Sequence, residues 1–441
     1  MFPKSSATST SLQTSISYKI GHMLLTSKER EKLHRAIVAY LRAQSLDQAS
    51  EAVAAATGLS GDMGASDLLE KKWSSVVRLQ QKVLNLQSEV EQMKEEMAFY
   101  GPGKKLGDSN AKRGEGLPRV PAKFCLTGHR ESVTALSFHP VYSILASASE
   151  DGSVRLWDYE SGVFERTLKG HTATVNSLAF EPGTGKLLAT ASADLSIKLW
   201  LFDTFECVKT LNGHDHTVSE VRFVPAGDHL VSCSRDKSMK LWEVASGFCI
   251  RTFTGHSEWI RSLALNVTGS LVVSGSHDET VMVWALENPS ALTVLAGHSN
   301  VVECVEFASA TALQEISAAD YAPQSAETAE ELPGSRTREV VVSGSRDKTI
   351  MLWDVWKGTC LAVLRGHDNW VRGLLFHPSG RYLYSCADDK SIRIWDCKTA
   401  RTAKVLADAH EHFVTCMALN QRYPLLASGG VDKAVRVWEC R

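Results

Sequence analysis

Histidine, aspartate and serine at fixed spacing are the raw material of acyl transfer, because an imidazole held by a carboxylate can activate a hydroxyl. The 441-residue chain carries such a set seven times. The histidines are His129, His171, His214, His256, His298, His367 and His410, the first six preceded by glycine and the last by alanine. The aspartates that follow them are Asp151, Asp194, Asp236, Asp278, Asp347, Asp389 and Asp432. Four residues before each aspartate stands a hydroxyl, in Ser147, Thr190, Ser232, Ser274, Ser343, Ser385 and Ser428. Six residues after each aspartate comes a tryptophan: Trp157, Trp200, Trp242, Trp284, Trp353, Trp395 and Trp438.

Sevenfold repetition argues for architecture. An enzyme needs one such set, and neither a nucleophile elbow nor a Gly-rich phosphate loop accompanies any of them. The expected role is a buried hydrogen-bonded chain. Each aspartate accepts from a histidine, the histidine reaches the hydroxyl, and the hydroxyl accepts the indole N–H. Each group is costly to bury alone and acceptable when paired. No catalytic residue, metal or cofactor is expected.

The elements that must position these groups are short alternating runs such as "SVRLWD", bounded by turn residues, which read as strands. Successive histidines lie 42 or 43 residues apart, except for one gap of 69. Over residues 123–441 this pattern resembles the WD40 family, with four strands per repeat. The resemblance implies an all-β, seven-bladed β-propeller, whose closure removes most sheet edges. The last repeat lacks its outermost strand, and residues near Phe124 to Leu126, ahead of the first repeat, are expected to supply it. The long gap holds roughly 27 extra residues. They fall in "ASATALQEISAADYAPQSAETAEELPGS", residues 308–335, with Glu315, Asp320, Glu327, Glu330 and Glu331 and no Lys or Arg. A flexible acidic surface loop is expected there.

Composition narrows the remaining choices. A formal net charge of −2 gives no reason to expect nucleic acid or an anionic membrane surface as partner. No apolar run is long enough for a membrane span, so membrane insertion is not expected, and no signal peptide is visible. Ten cysteines lie without a CxxC pair, several in apolar runs (Cys304, Cys386, Cys416). That pattern reads as reduced, buried thiols and a cytoplasmic setting.

The first quarter has a different texture. Residues 1–22 are rich in Ser and Thr, without an apolar period, and read as a disordered leader. In 23–58, Leu33, Ile37, Tyr40 and Leu41 share one helical face, and so small a helical pair needs a second copy to cover its stripe. In 68–99, heptad position a reads Leu69, Val76, Val83, Val90 and Met97, and position d reads Lys72, Leu79, Leu86 and Met93. β-branched a with Leu at d favours a parallel coiled-coil homodimer; a lone amphipathic helix is the alternative. Residues 100–122 read as a Gly/Pro-rich linker.

The first helical pair resembles a Lis-homology motif. That motif, a short coiled coil and seven WD40 repeats form the layout of the lissencephaly and fungal nuclear distribution (NudF-type) family. "EKLHRAIVAYLR", "LLEKKWSSVVRLQQKV", "FERTLKGH", "SGSRDKTIMLWD", "GHDNWVRGLLFH", "SCADDKSIRIWD" and "VWECR" are all similar to that family's segments. The resemblance implies a non-catalytic regulator of cytoplasmic dynein that grips the heavy-chain motor domain. NudE-type coiled-coil proteins and plus-end tracking proteins are its implied partners. Its implied places are the cytoplasm, the cytoskeleton, microtubule plus ends and the spindle pole, in nuclear migration and spindle positioning. Two alternatives stay open: a non-catalytic subunit of a platelet-activating-factor acetylhydrolase-like complex, and a generic WD40 adaptor.

One irregularity in the repeat points to a working face. The residue before each turn aspartate reads Glu150, Ala193, Arg235, His277, Arg346, Asp388 and Val431. Three residues after each histidine the chain reads Ser132, Thr174, Thr217, Trp259, Val301, Trp370 and Phe413, and Arg261 and Arg372 follow the two tryptophans two residues on. A framework requirement would repeat seven times. Trp and Arg dominate interface hot spots, so these positions read as contacts. The family's dynein-contacting positions match Arg235, Arg261, Arg346, Trp370 and Lys390, to which Trp259 and Arg372 are added.

Overall fold

The computed structural model describes residues 117–319, 338–420 and 422–440. The leader, the Lis-homology and coiled-coil segments with their dimerisation residues, and nearly all of the linker lie outside the described residues.

Among the described residues, strands assemble into seven four-stranded antiparallel sheets, each a blade of one propeller. The first blade is β2 (Val133–Phe138), β3 (Ile144–Ser149), β4 (Ser153–Asp158) and β5 (Val163–Lys169), and the next five repeat that order. The middle strands bury nearly every residue against neighbouring blades, whereas the outer strand β5 is largely exposed. This explains the near-continuous small and β-branched runs such as "ILASAS". The seventh blade is completed by β1 (Phe124–Thr127), which pairs antiparallel with β28 (Ala434–Glu439), Phe124 opposite Val437. Closure by the expected segment is therefore what the chain does. The residues before β1 continue the seam, with Pro118 bridging to Cys440 and accepting from Lys404 Nζ at 2.9 Å.

The aspartate turns and the histidine loops crowd onto one rim of the disc. In every blade His Nδ1 lies 2.6–3.1 Å from the aspartate. His Nε2 lies 2.7–2.8 Å from the Ser or Thr hydroxyl, which accepts the Trp Nε1–H at 2.7–2.9 Å. The aspartate's other oxygen closes the turn itself, accepting for example the Ser153 N–H at 2.9 Å. The residue following the aspartate by one is left-handed in all seven turns: Gly152, Leu195, Lys237, Glu279, Lys348, Lys390 and Lys433. Burial alone would raise the Asp151 and Asp194 carboxyls, but hydrogen bonds led by Ser153 and Ser196 hold both at about 2. All seven hydroxyl-bearing residues are fully buried. A hydroxyl that accepts from Trp and faces His in a dry core is inaccessible to a substrate, so these sets hold blades and carry out no acyl transfer.

The acidic insert departs from expectation at its start. Residues Ala310–Ser317 form helix α1, N-capped by Ser309, whose side chain accepts from Ala312 N–H. Ala312 and Ile316 are buried against Leu374, Leu383 and Trp395. The helix follows β18 (Val302–Phe307) and precedes β19 (Val340–Ser345), so it sits on the rim opposite the aspartate turns. The remainder of the insert, 320–337, lies outside the described residues.

Gly380 makes the docking of α1 possible, because its φ is +77° and a Cβ there would overlap the backbone of Thr311 and Ala312. Gly380→Ala is expected to undock the helix, and hydrogen exchange at Leu313 and Ala318 should accelerate by tenfold or more. Unchanged protection at those amides would mean that this turn does not hold the helix. The thiols also divide: Cys304, Cys386 and Cys416 are buried as expected, but Cys125, Cys207, Cys249 and Cys360 are exposed.

Candidate protein-docking face

The two irregular sequence positions meet in every blade. The backbone N–H before each turn aspartate donates to the carbonyl three residues after the histidine. Arg346 to Val301 (2.9 Å), His277 to Trp259 (2.8 Å) and Asp388 to Trp370 (2.9 Å) are three of the seven cases. Both positions therefore line one rim, and their backbones are framework while their side chains are free to vary.

A third position joins them. The first strand of each blade carries a β-bulge, as between Val133 and Ala135, Ile260 and Ser262, Val302 and Cys304, and Val371 and Gly373. A bulge re-aims the extra residue out of the ladder. In the first, second and seventh blades that residue is Thr134, Asn176 or Thr415, and each donates to a carbonyl of the adjoining blade. In blades four, five and six it is Arg261, Glu303 and Arg372. A neutral clasp is replaced there by charge.

Glu303 is the hub of that charge. Its side chain is 5% exposed and accepts from Arg261 (2.9 and 3.2 Å), Arg346 (2.5 Å) and Arg372 (3.4 Å). Arg372 also forks onto Asp388, at 2.9 and 2.8 Å. Burial would raise the Glu303 carboxyl, but the three guanidinium groups pull it below its ordinary value. The cluster thus sets four arginines, including Arg235, against two carboxylates, and keeps a net positive character.

Two tryptophans stand over it. Arg346 lies 4.2 Å and Arg372 5.0 Å from the Trp370 ring, so that indole is gripped by two cations. Trp259 is flanked by Arg235 at 5.0 Å and by the His277 ring at 5.0 Å. The structure therefore brings together Arg235, Trp259, Arg261, Arg346, Trp370 and Arg372. Lys390 stands apart: among the described residues it is tied in by its backbone, its N–H donating to the Ala387 carbonyl at 3.3 Å and its carbonyl accepting from Ala409 at 2.9 Å. Large, partly exposed aromatic and guanidinium groups held rigid by a buried anion are a surface suited to protein docking.

Sequence reading missed Glu303 as a partner for these arginines. The signal was available: Glu303 follows His298 by the same five residues by which Arg261 follows His256 and Arg372 follows His367.

Comparison with known proteins agrees with this architecture. The family model for the WD domain, G-beta repeat, matches residues 121–158, 162–200, 205–243, 247–285, 332–354, 358–396 and 402–439. The chain is 42% identical over 408 residues to nuclear distribution protein nudF 1 of Talaromyces marneffei, covering 89% of this chain and 87% of that protein. It is 39% identical over 414 residues to nuclear distribution protein PAC1 of Coccidioides posadasii, covering 89% and 86%. With PAC1 of Arthroderma benhamiae the identity is 40% over 414 residues, covering 89% and 88%.

Proposed function

We propose, since the chain belongs to the nuclear distribution protein family of WD40-repeat proteins, that it is a non-catalytic regulator of cytoplasmic dynein acting in nuclear migration and spindle positioning. The propeller docks on the motor domain of the heavy chain through the rim that carries Trp259, Trp370 and the four arginines. The observation that supports this most directly is their irregularity: only some blades spend a cation or an indole there, and those blades adjoin one another. The segments 23–58 and 68–99 make the protein a homodimer in this reading. NudE-type and plus-end tracking proteins bring it to microtubule plus ends and the spindle pole.

The test is direct binding of the purified full-length chain to a dynein motor domain, with light scattering in parallel. A saturable complex formed by a dimer is expected. Absence of any complex would overturn the dynein reading, and a monomeric mass would overturn the dimer.

A further inference from the structure

The arginines of the docking face are not equivalent. Arg261, Arg346 and Arg372 already face Glu303, and Arg372 is doubly bound to Asp388. Arg235 makes no ion pair among the described residues, and its Nε is buried without a hydrogen-bond partner. His277 shares that condition, because its Nε2 is also buried and unpartnered. Both groups lie against the same indole, Trp259, and His277 is anchored to it by its own backbone N–H, 2.8 Å from the Trp259 carbonyl. The Trp370 corner is thus neutralised from within, whereas the Trp259 corner holds two buried nitrogens without hydrogen-bond partners.

We infer that His277 is a further recognition residue of this face, pairing with Arg235 to take a carboxylate of an acidic partner segment, and that docking places a proton on its imidazole. This rests on the reading of the rim as a docking face. The groups that surround His277 define the proton's direction. Arg261 stands on its own blade, Arg346 and Glu303 on the next, and Arg235 on the preceding one, and the His216 ring lies 6.1 Å from that of Trp259. Burial first, then Arg261 and Arg346, hold the imidazole below its ordinary value, so the free site is neutral near pH 7. A docked carboxylate reverses that balance and favours the imidazolium. Binding then takes up a proton, and affinity rises as pH falls across the window between the free and bound midpoints.

A hexaglutamate peptide serves as the probe, because its carboxylates remain largely ionised down to about pH 6. Its affinity for the full-length protein is measured by calorimetry at about pH 6 and about pH 8, in two buffers of different ionisation enthalpy. The expected result is binding about tenfold tighter at the lower pH with proton uptake. His277→Asn should lose the pH dependence, and with it the tighter binding at the lower pH. Arg235→Gln should weaken binding about tenfold at both. His216→Gln should leave the pH dependence intact, and circular dichroism confirms folding.

Failure of the peptide to bind, or a pH dependence that survives in His277→Asn, would overturn the inference. The same variants assayed against a dynein motor domain separate the two readings. Loss of pH dependence with the peptide but no motor binding by the parent sinks the dynein reading alone. Motor binding with a peptide response indifferent to His277 sinks this inference alone.

Discussion

The double variant Arg346→Ala/Trp370→Ala is expected to bind a dynein motor domain at least tenfold more weakly than the parent. Two features set the size of the effect. Trp370 is the large half-buried anchor of the rim, and its indole is held by Arg346 at 4.2 Å and Arg372 at 5.0 Å. Truncating such an anchor costs on the order of 2 kcal/mol or more, about thirtyfold in affinity. The two substitutions should be non-additive, because each removes the other's partner, and a double-mutant cycle would read that coupling directly. The fold should survive. Glu303 keeps Arg261 and Arg372 when Arg346 is truncated, and the blade turn keeps its backbone bond from residue 346 to Val301. A variant that remains folded, with the parent's mass in solution, but binds like the parent would refute the assignment of this rim. The opposite rim, with helix α1, would then be the surface to examine.

Glu303→Ala should be the most destabilising single change on that rim. It leaves three guanidinium groups, each only 21–23% exposed, facing one another across an empty site. Removing one side of a buried charge network strands the other, at a cost of about 3 kcal/mol. Glu303→Gln keeps the shape and one acceptor, so it should cost less, and rising salt should narrow the gap by screening the arginines. Chemical denaturation at neutral pH measures all three. The pH dependence carries a definite sign. The folded carboxyl titrates below its unfolded value of 4.5, so its contribution is full above that value. The contribution is lost as pH falls through the depressed folded value. A Glu303→Ala midpoint equal to that of the parent would show that the arginines do not depend on this anion.

What could be read from the sequence was whatever recurs at a fixed offset. The histidine, hydroxyl, aspartate and tryptophan of each blade lie within one repeat, so their periodicity gave the blade count, the hydrogen-bond order and the need for a strand from before the first repeat. The rim itself was legible as two irregular columns, because the turn geometry fixes where those positions open. Helix α1 was not. The composition of residues 308–335 reads as solvated loop, and the helix exists because Gly380 leaves room for its backbone and Leu374, Leu383 and Trp395 cover its apolar side.

Glu303 shows the same limit. Its partners come from three blades and from two kinds of position, the bulge and the aspartate turn, so no local pattern pairs them. Sequence alone determined the repeated framework, since each tetrad's polar groups must be satisfied within their own blade. Only ring closure decided which charges neutralise one another and which, like Arg235, make no ion pair among the described residues. Those distances are set between blades, by the packing of strands far apart in the chain.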